Sequence, residues 1–259
     1  DVVYDEELLN GKLSEYDWLH LHHEDFTGQY GRFYAQFHNA PWYQAEVKEN
    51  ETIARKYGFS KVSQLKLAVA KKINEYVFGG GFLFAMCSAT DSYDIALAAE
   101  GVDICASIYD YDSADPLMNE KLDYSKSYAF ENYKLKLDPK EYEFSTIDTY
   151  FTRSNYGMTK ATDQFTLFDF SAKWDPVPTM LCQNHTQTIQ GFWGQTVAYN
   201  KNYVKKNVLV MGESKAFNEV RYIHGEHGKG TWTFYGGHDP EDYQHRVEEP
   251  PTDLSLHPN

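Results

Sequence analysis

The sequence predicts an α/β fold: a flavodoxin-like, doubly wound, mostly parallel sheet carrying a loop-rich β insertion. Two observations predict it. Residues 16–100 alternate strand, helices, strand and helix, the pattern of parallel strands joined by helical crossovers. Within that stretch an apolar run leaves Gly79-Gly80-Gly81 and ends on Cys87 before small and polar residues. That is how an α/β sheet presents a side chain at the carboxyl end of a strand.

The elements follow in order. Tyr16–His22 reads as a short buried strand running into the polar cluster His22-His23-Glu24-Asp25. Pro41–Tyr57 has helical composition, and Gly58 stops it. Ser60 is placed to cap a second helix. Its Val62, Leu65, Val69, Ile73 and Val77 recur at three- and four-residue steps, and Gly79 ends it. Phe82–Met86 is the next strand, and Asp94–Ala99 has the look of a helix's first turns. Residues 105–200 are rich in Tyr, Asp, Thr and Phe, with short alternating runs at Glu141–Phe144 and Phe165–Phe170. They read as loops, short strands and insertions. Val208–Met211 is a compact strand, and Val220–His224 and Thr231–Tyr235 flank the hairpin-like Gly225–Gly230. Residues 1–245 are expected to form one α/β domain, and 246–259 a polar, proline-bearing surface tail. The abrupt opening Asp1-Val2-Val3-Tyr4-Asp5 predicts a piece of a longer precursor.

Composition narrows the function classes. The 259 residues carry a formal net charge of −14, which repels nucleic acid and anionic membranes as partners. No apolar run is long enough to span a bilayer. Aromatic residues make up 16%, enough to fill a core and also to line a sugar- or protein-binding surface. Cys87, Cys105 and Cys182 are odd in number and widely spaced, which suits neither a disulfide framework nor a CxxC metal knuckle.

Cys87 is the first candidate for chemistry. A helix starting just after it would aim free N–H groups at the sulfur, lowering the thiol pKa and offering an oxyanion site at the Ser88 N–H. The inert alternative is a buried core thiol. The second candidate is Tyr235-Gly236-Gly237-His238-Asp239-Pro240-Glu241-Asp242. Its His238 stands at a strand end within reach of a neighbouring strand tip, and Asp239 or Glu241 would orient the ring. The third is His20-Leu21-His22-His23-Glu24-Asp25, which ends the strand before the Cys87 strand and so opens on the same crevice in a parallel sheet. With His185 or His238 it would offer zinc ligands, but the spacing matches no standard zinc motif. Cys87, His238 and Glu241 are therefore the catalytic candidates. His22, His23, Glu24, Ser88, Asp91, His185 and Asp239 are the substrate-binding candidates, with no metal and no cofactor expected.

Two segments carry a family resemblance. Gly80-Gly81-Phe82-Leu83-Phe84-Ala85-Met86-Cys87-Ser88-Ala89-Thr90-Asp91 resembles the GGGFVGxHxATD segment of ThuA-like, or trehalose-utilisation, proteins. Gly228-Lys229-Gly230-Thr231-Trp232-Thr233-Phe234-Tyr235-Gly236-Gly237-His238 resembles that family's closing GKGrvfYtxxGH segment. The family belongs to the class I glutamine amidotransferase-like superfamily, which implies the flavodoxin-like sheet. The chain departs from it at Cys87, where ThuA-like proteins usually carry His. The thiol restores the nucleophile position of glutamine amidotransferases, but their Gly-x-Cys-x-Gly elbow is absent. Their closing His-Pro-Glu is here His238-Asp239-Pro240-Glu241, one residue longer. The whole chain is also similar to envelope proteins of Gram-negative bacteria named asparagine synthetase B. That enzyme needs an N-terminal cysteine and an SGGxDS-type loop, and this chain has neither.

The leading expectation is a cysteine-dependent hydrolase or acyl-transfer enzyme, with the resemblance implying a small-molecule or sugar-derived substrate. The alternative is a non-catalytic envelope protein that binds carbohydrate or a protein partner. A metal site built from His22, His23, Glu24 and His238 ranks below both. The resemblance implies a periplasmic, cell-envelope or secreted location.

Overall fold

The computed structural model describes residues 1–155, 157, 163–167, 188–190 and 195–237. Eight strands form one mixed sheet: β1 (Trp18–Leu21), β2 (Phe82–Met86), β3 (Gln164–Leu167), β4 (Thr188–Gln190), β5 (Tyr199–Asn200), β6 (Leu209–Ser214), β7 (Glu219–His227) and β8 (Gly230–Tyr235). Their order is β1-β2-β8-β7-β6-β3-β4, with β5 beside β7. The parallel part is β1-β2-β8, and the pairs from β8 through β4 are antiparallel. The fold is α/β, with helices packed on the parallel strands. The antiparallel extension starts with the β7–β8 hairpin read from Gly225–Gly230 and continues through β6, β3 and β4.

Five helices precede the middle of the chain: α1 (Asp5–Leu9), α2 (Tyr34–Phe37), α3 (Pro41–Lys56), α4 (Val62–Gly79) and α5 (Ser88–Ala98). Pro41 begins α3, where its missing N–H costs nothing, and Gly58 at φ +82° turns the chain out of it. The apolar stripe of α4 is buried as its spacing predicts, with Leu65, Val69, Ile73 and Val77 fully enclosed. Val69, Ile73 and Val77 pack with Leu83 and Ala85 of β2 and Phe234 of β8 in the main core.

Four expectations shift. Lys61, not Ser60, is the residue before α4; the Ser60 N–H and hydroxyl instead meet the Gln64 Oε1 at 3.0 Å. Helix α5 starts at Ser88 rather than Asp94, because the turn out of β2 takes the single residue Cys87. The β1 strand is mostly exposed, with Trp18 at 61% and only Leu21 buried, since it lies at the sheet's edge. Glu141–Phe144 is not a strand; a lone bridge, Leu135 with Ser145, is the pairing nearby.

Two backbone contacts fasten the start of β8 to the end of α4 and the turn into β2. Lys229 N–H donates to the Phe78 carbonyl at 3.0 Å, and Thr231 N–H to the Gly81 carbonyl at 3.3 Å. A Cβ on Gly230 would lie 2.1 Å from the Val77 carbonyl oxygen, so only glycine lets β8 start this close to the end of α4.

Candidate functional site around Cys87

Parallel strands β1, β2 and β8 bring three segments to one end of the sheet: the loop after β1, the Cys87 turn and the end of β8. Cys87 forms a strained elbow, at φ 52° and ψ −136°, a conformation that only glycine adopts easily. Its N–H donates to the Tyr235 carbonyl at 3.1 Å, so the turn is tied to β8. The helix expected after it is present and begins at Ser88.

The sulfur itself is sealed. Cys87 is 0% exposed, beside Met86, Phe165 and Tyr235. Its thiol donates to the Gln195 main-chain carbonyl. Burial pushes the thiol pKa up, the Ser88 N–H pulls it down, and the Asp148 and Asp91 carboxyls push it up again. The helix N-terminus was expected to depress this pKa, but desolvation outweighs it. In this conformation the sulfur is an enclosed hydrogen-bond donor to Gln195.

Two carboxyls that accompany it are also enclosed. Asp91 accepts from the Thr196 hydroxyl at 2.9 Å and the Ser92 N–H at 3.0 Å, leaving Oδ2 without a partner. Burial raises its pKa well above the usual carboxylate range, and Asp148 adds to the rise. Asp148 accepts the Tyr150 N–H at 2.9 Å and the Thr196 N–H at 3.0 Å. Burial nevertheless lifts it to about 7. Asp91 was legible as part of a motif. Asp148, Thr196 and Gln195 were not, because they come from the irregular middle of the chain and meet Cys87 only through the fold.

The other predicted residues divide. Ser88 donates its hydroxyl to the His23 carbonyl at 3.1 Å, so the loop after β1 is fastened to the start of α5. Glu24 accepts the His22 N–H at 2.7 Å, and the His22 and His23 rings lie 4.0 Å apart. These residues reach the same end of the sheet as Cys87, as the parallel pairing requires. His238, Asp239, Glu241 and His185 lie outside the described residues, as does Cys182. The meeting of Cys87 with His238 is therefore not part of the described geometry.

A second cluster escaped the sequence reading. The donor atoms of Asp103, Cys105 and Asp110 lie within 4.8 Å of one another. Lys61 supplies the cation there, pairing with Asp103, Asp112 and, at 3.0 Å, Asp110. It borders a cleft of about 270 Å³ between the start of α4 and the end of α5.

No known protein family and no curated protein matches the chain. Among solved structures it is similar to a cytoplasmic protein from Salmonella typhimurium, with a TM-score of 0.36 and 10% identity over 91% of this chain. The chain spans 65% of that protein's length. No helix among the described residues is long and apolar enough to cross a membrane.

Proposed function

We propose that this chain is a carbohydrate-binding protein on an amidotransferase-like scaffold of the ThuA kind, in which the elbow thiol serves packing rather than chemistry. A patch of exposed aromatic rings after β1 carries the reading. Phe37 is 37% and Trp42 48% exposed. Their ring centroids lie 5.3 Å apart, and Phe33 stands 6.0 Å from Phe37 and 6.1 Å from Trp42. Exposed Gln36, His38, Asn39 and Gln44 lie beside them in the chain and offer hydrogen-bonding groups. Flat rings suit the apolar face of a pyranose, while amides and an imidazole suit its hydroxyls. A contiguous exposed apolar patch rimmed by polar residues is a feature of interaction sites. The envelope location implied by the family resemblance belongs to the same proposal.

The test is titration of the protein with a panel of neutral oligosaccharides, followed by tryptophan fluorescence and calorimetry. A binding sugar is expected, and Trp42→Ala is expected to weaken it by at least about tenfold, the cost of losing an aromatic anchor. A panel that binds nowhere, or a variant that binds as well as the parent, overturns the reading.

One observation favours a second reading, a cysteine-dependent hydrolase. The strained Cys87 backbone and the Ser88 amide at the start of an 11-residue helix are the frame such a nucleophile uses. An amide and ester hydrolysis screen with Cys87→Ala as control decides it: turnover lost in that variant supports the enzyme.

A further inference from the structure

We infer that Gln195–Val197 is a strap that holds Cys87 covered, and that Thr196 is its latch, clasped between the Asp91 and Asp148 carboxyls. The inference goes beyond the carbohydrate reading and does not depend on it.

The strap runs past the end of β8, where β5 takes over the pairing with β7. Each of its first two residues is fastened from more than one side. The Gln195 carbonyl accepts a hydrogen bond from the Cys87 thiol. Its side-chain amide donates to the Gly31 and Tyr142 carbonyls, both at 3.0 Å, tying the strap to the loop after β1 and to the middle insertion. The Thr196 carbonyl accepts the Gly237 N–H at 2.8 Å. The Thr196 hydroxyl and N–H reach Asp91 and Asp148 respectively.

Thr196 makes these bonds at φ 55°, a conformation that a β-branched residue adopts only under constraint. Cys87, directly beneath, is also held at positive φ. Two strained residues thus adjoin one thiol–carbonyl bond, Cys87 giving the thiol and Thr196 following the Gln195 carbonyl, and strain of this kind persists only where surrounding contacts over-determine it. The clasp supplies those contacts. Weakening it lets the strap relax toward ordinary backbone angles and uncovers the sulfur locally, with the sheet intact.

The clasp is also poised to respond to its neighbours. Glu143, Lys136 and Asp91 act on the Asp148 carboxyl, while Tyr142 and Tyr199 stand near Cys87 and Asp148. A ligand or partner that draws either carboxyl away from Thr196 would open the strap by the same route.

The test is alkylation of the native full-length chain with iodoacetamide at fixed pH, each cysteine followed by mass spectrometry of its own peptide. Cys105 is the internal reference, being equally sealed, with its thiol on the Thr27 carbonyl and not on the strap. Thr196→Val removes the hydroxyl and keeps the branched shape. It is expected to raise Cys87 labelling relative to Cys105 by at least about tenfold, the equivalent of one hydrogen bond to a carboxyl. Thr196→Ser keeps the hydroxyl and is expected to leave the ratio within about twofold. Should Thr196→Val fail to fold, Gln195→Ala, which frees the strap's other anchor, is expected to raise the same ratio. Labelling of Cys87 that stays level with Cys105 in every folded variant overturns the strap.

Discussion

Asp94 shows how one buried charge organises the insertion. It is fully buried in the middle of α5, and its carboxylate accepts the Tyr128, Ala129 and Phe130 N–H groups at 2.6, 2.7 and 2.9 Å. Those residues are themselves buried, so no solvent stands by to replace the acceptor. Asp94→Ala is expected to cost at least about 3 kcal/mol, because it strands several buried donors at once. Chemical denaturation checks this; a loss below about 1 kcal/mol would mean water takes the carboxylate's place. Cys87 behaves differently. Its role depends on what covers it, and the covering residues are Gln195 and Thr196, more than a hundred positions away.

At the scale of elements, the turn between α4 and β2 and the start of β8 form one tightly fitted joint. Gly230→Ala would drive a methyl into the Val77 and Gly81 carbonyl oxygens, at 2.1 and 2.3 Å. It is expected to cost about 3 kcal/mol or more through backbone displacement, read as a lowered thermal midpoint. By contrast Gly58→Ala meets no neighbouring atom and carries only the strain of its positive φ. It is expected to cost about 1 kcal/mol in the same assay. The same elements show what a sequence can say. Helix α4 was legible because its apolar residues repeat on one face, and β2 because an apolar run is bounded by glycines and a thiol. The β7–β8 hairpin was legible from its glycine turn. The pairing of β3, β4 and β5 on the antiparallel side was not. Strands β3, β4 and β5 have four, three and two residues, too short to carry a period, and their partners are set by tertiary packing. The site was half legible for the same reason. Cys87, Ser88 and Asp91 sit in one local motif, while Asp148, Gln195 and Thr196 arrive through loops that no periodicity announces.

For the whole molecule, buried charge sets the response to pH. Arg153, Asp163, Glu219 and Arg221 form an enclosed ionic group joining β7 to the middle segment. Asp148 stands apart, with its folded-state pKa lifted by burial to about 7 against an unfolded value of about 3.9. A raised carboxyl pKa means the folded state holds a proton that the unfolded chain has already lost. The associated stability is full below about pH 4 and is lost as pH rises through about 7, at up to about 1.4 kcal/mol per unit. Urea unfolding of the parent and of Asp148→Asn at pH 5 and 7.5 reads this directly. The variant is expected to gain about 2 kcal/mol on the parent between those pH values; a constant difference would mean Asp148 is ionised throughout.

The most direct test is the rate of Cys87 alkylation by iodoacetamide in the native protein from pH 5 to 9. A sealed, protonated donor predicts slow labelling that tracks Cys105 and has no inflection in that range. Rapid labelling with an inflection between pH 5 and 8 would mean an open thiolate at the strand end, and would contradict the account at its centre.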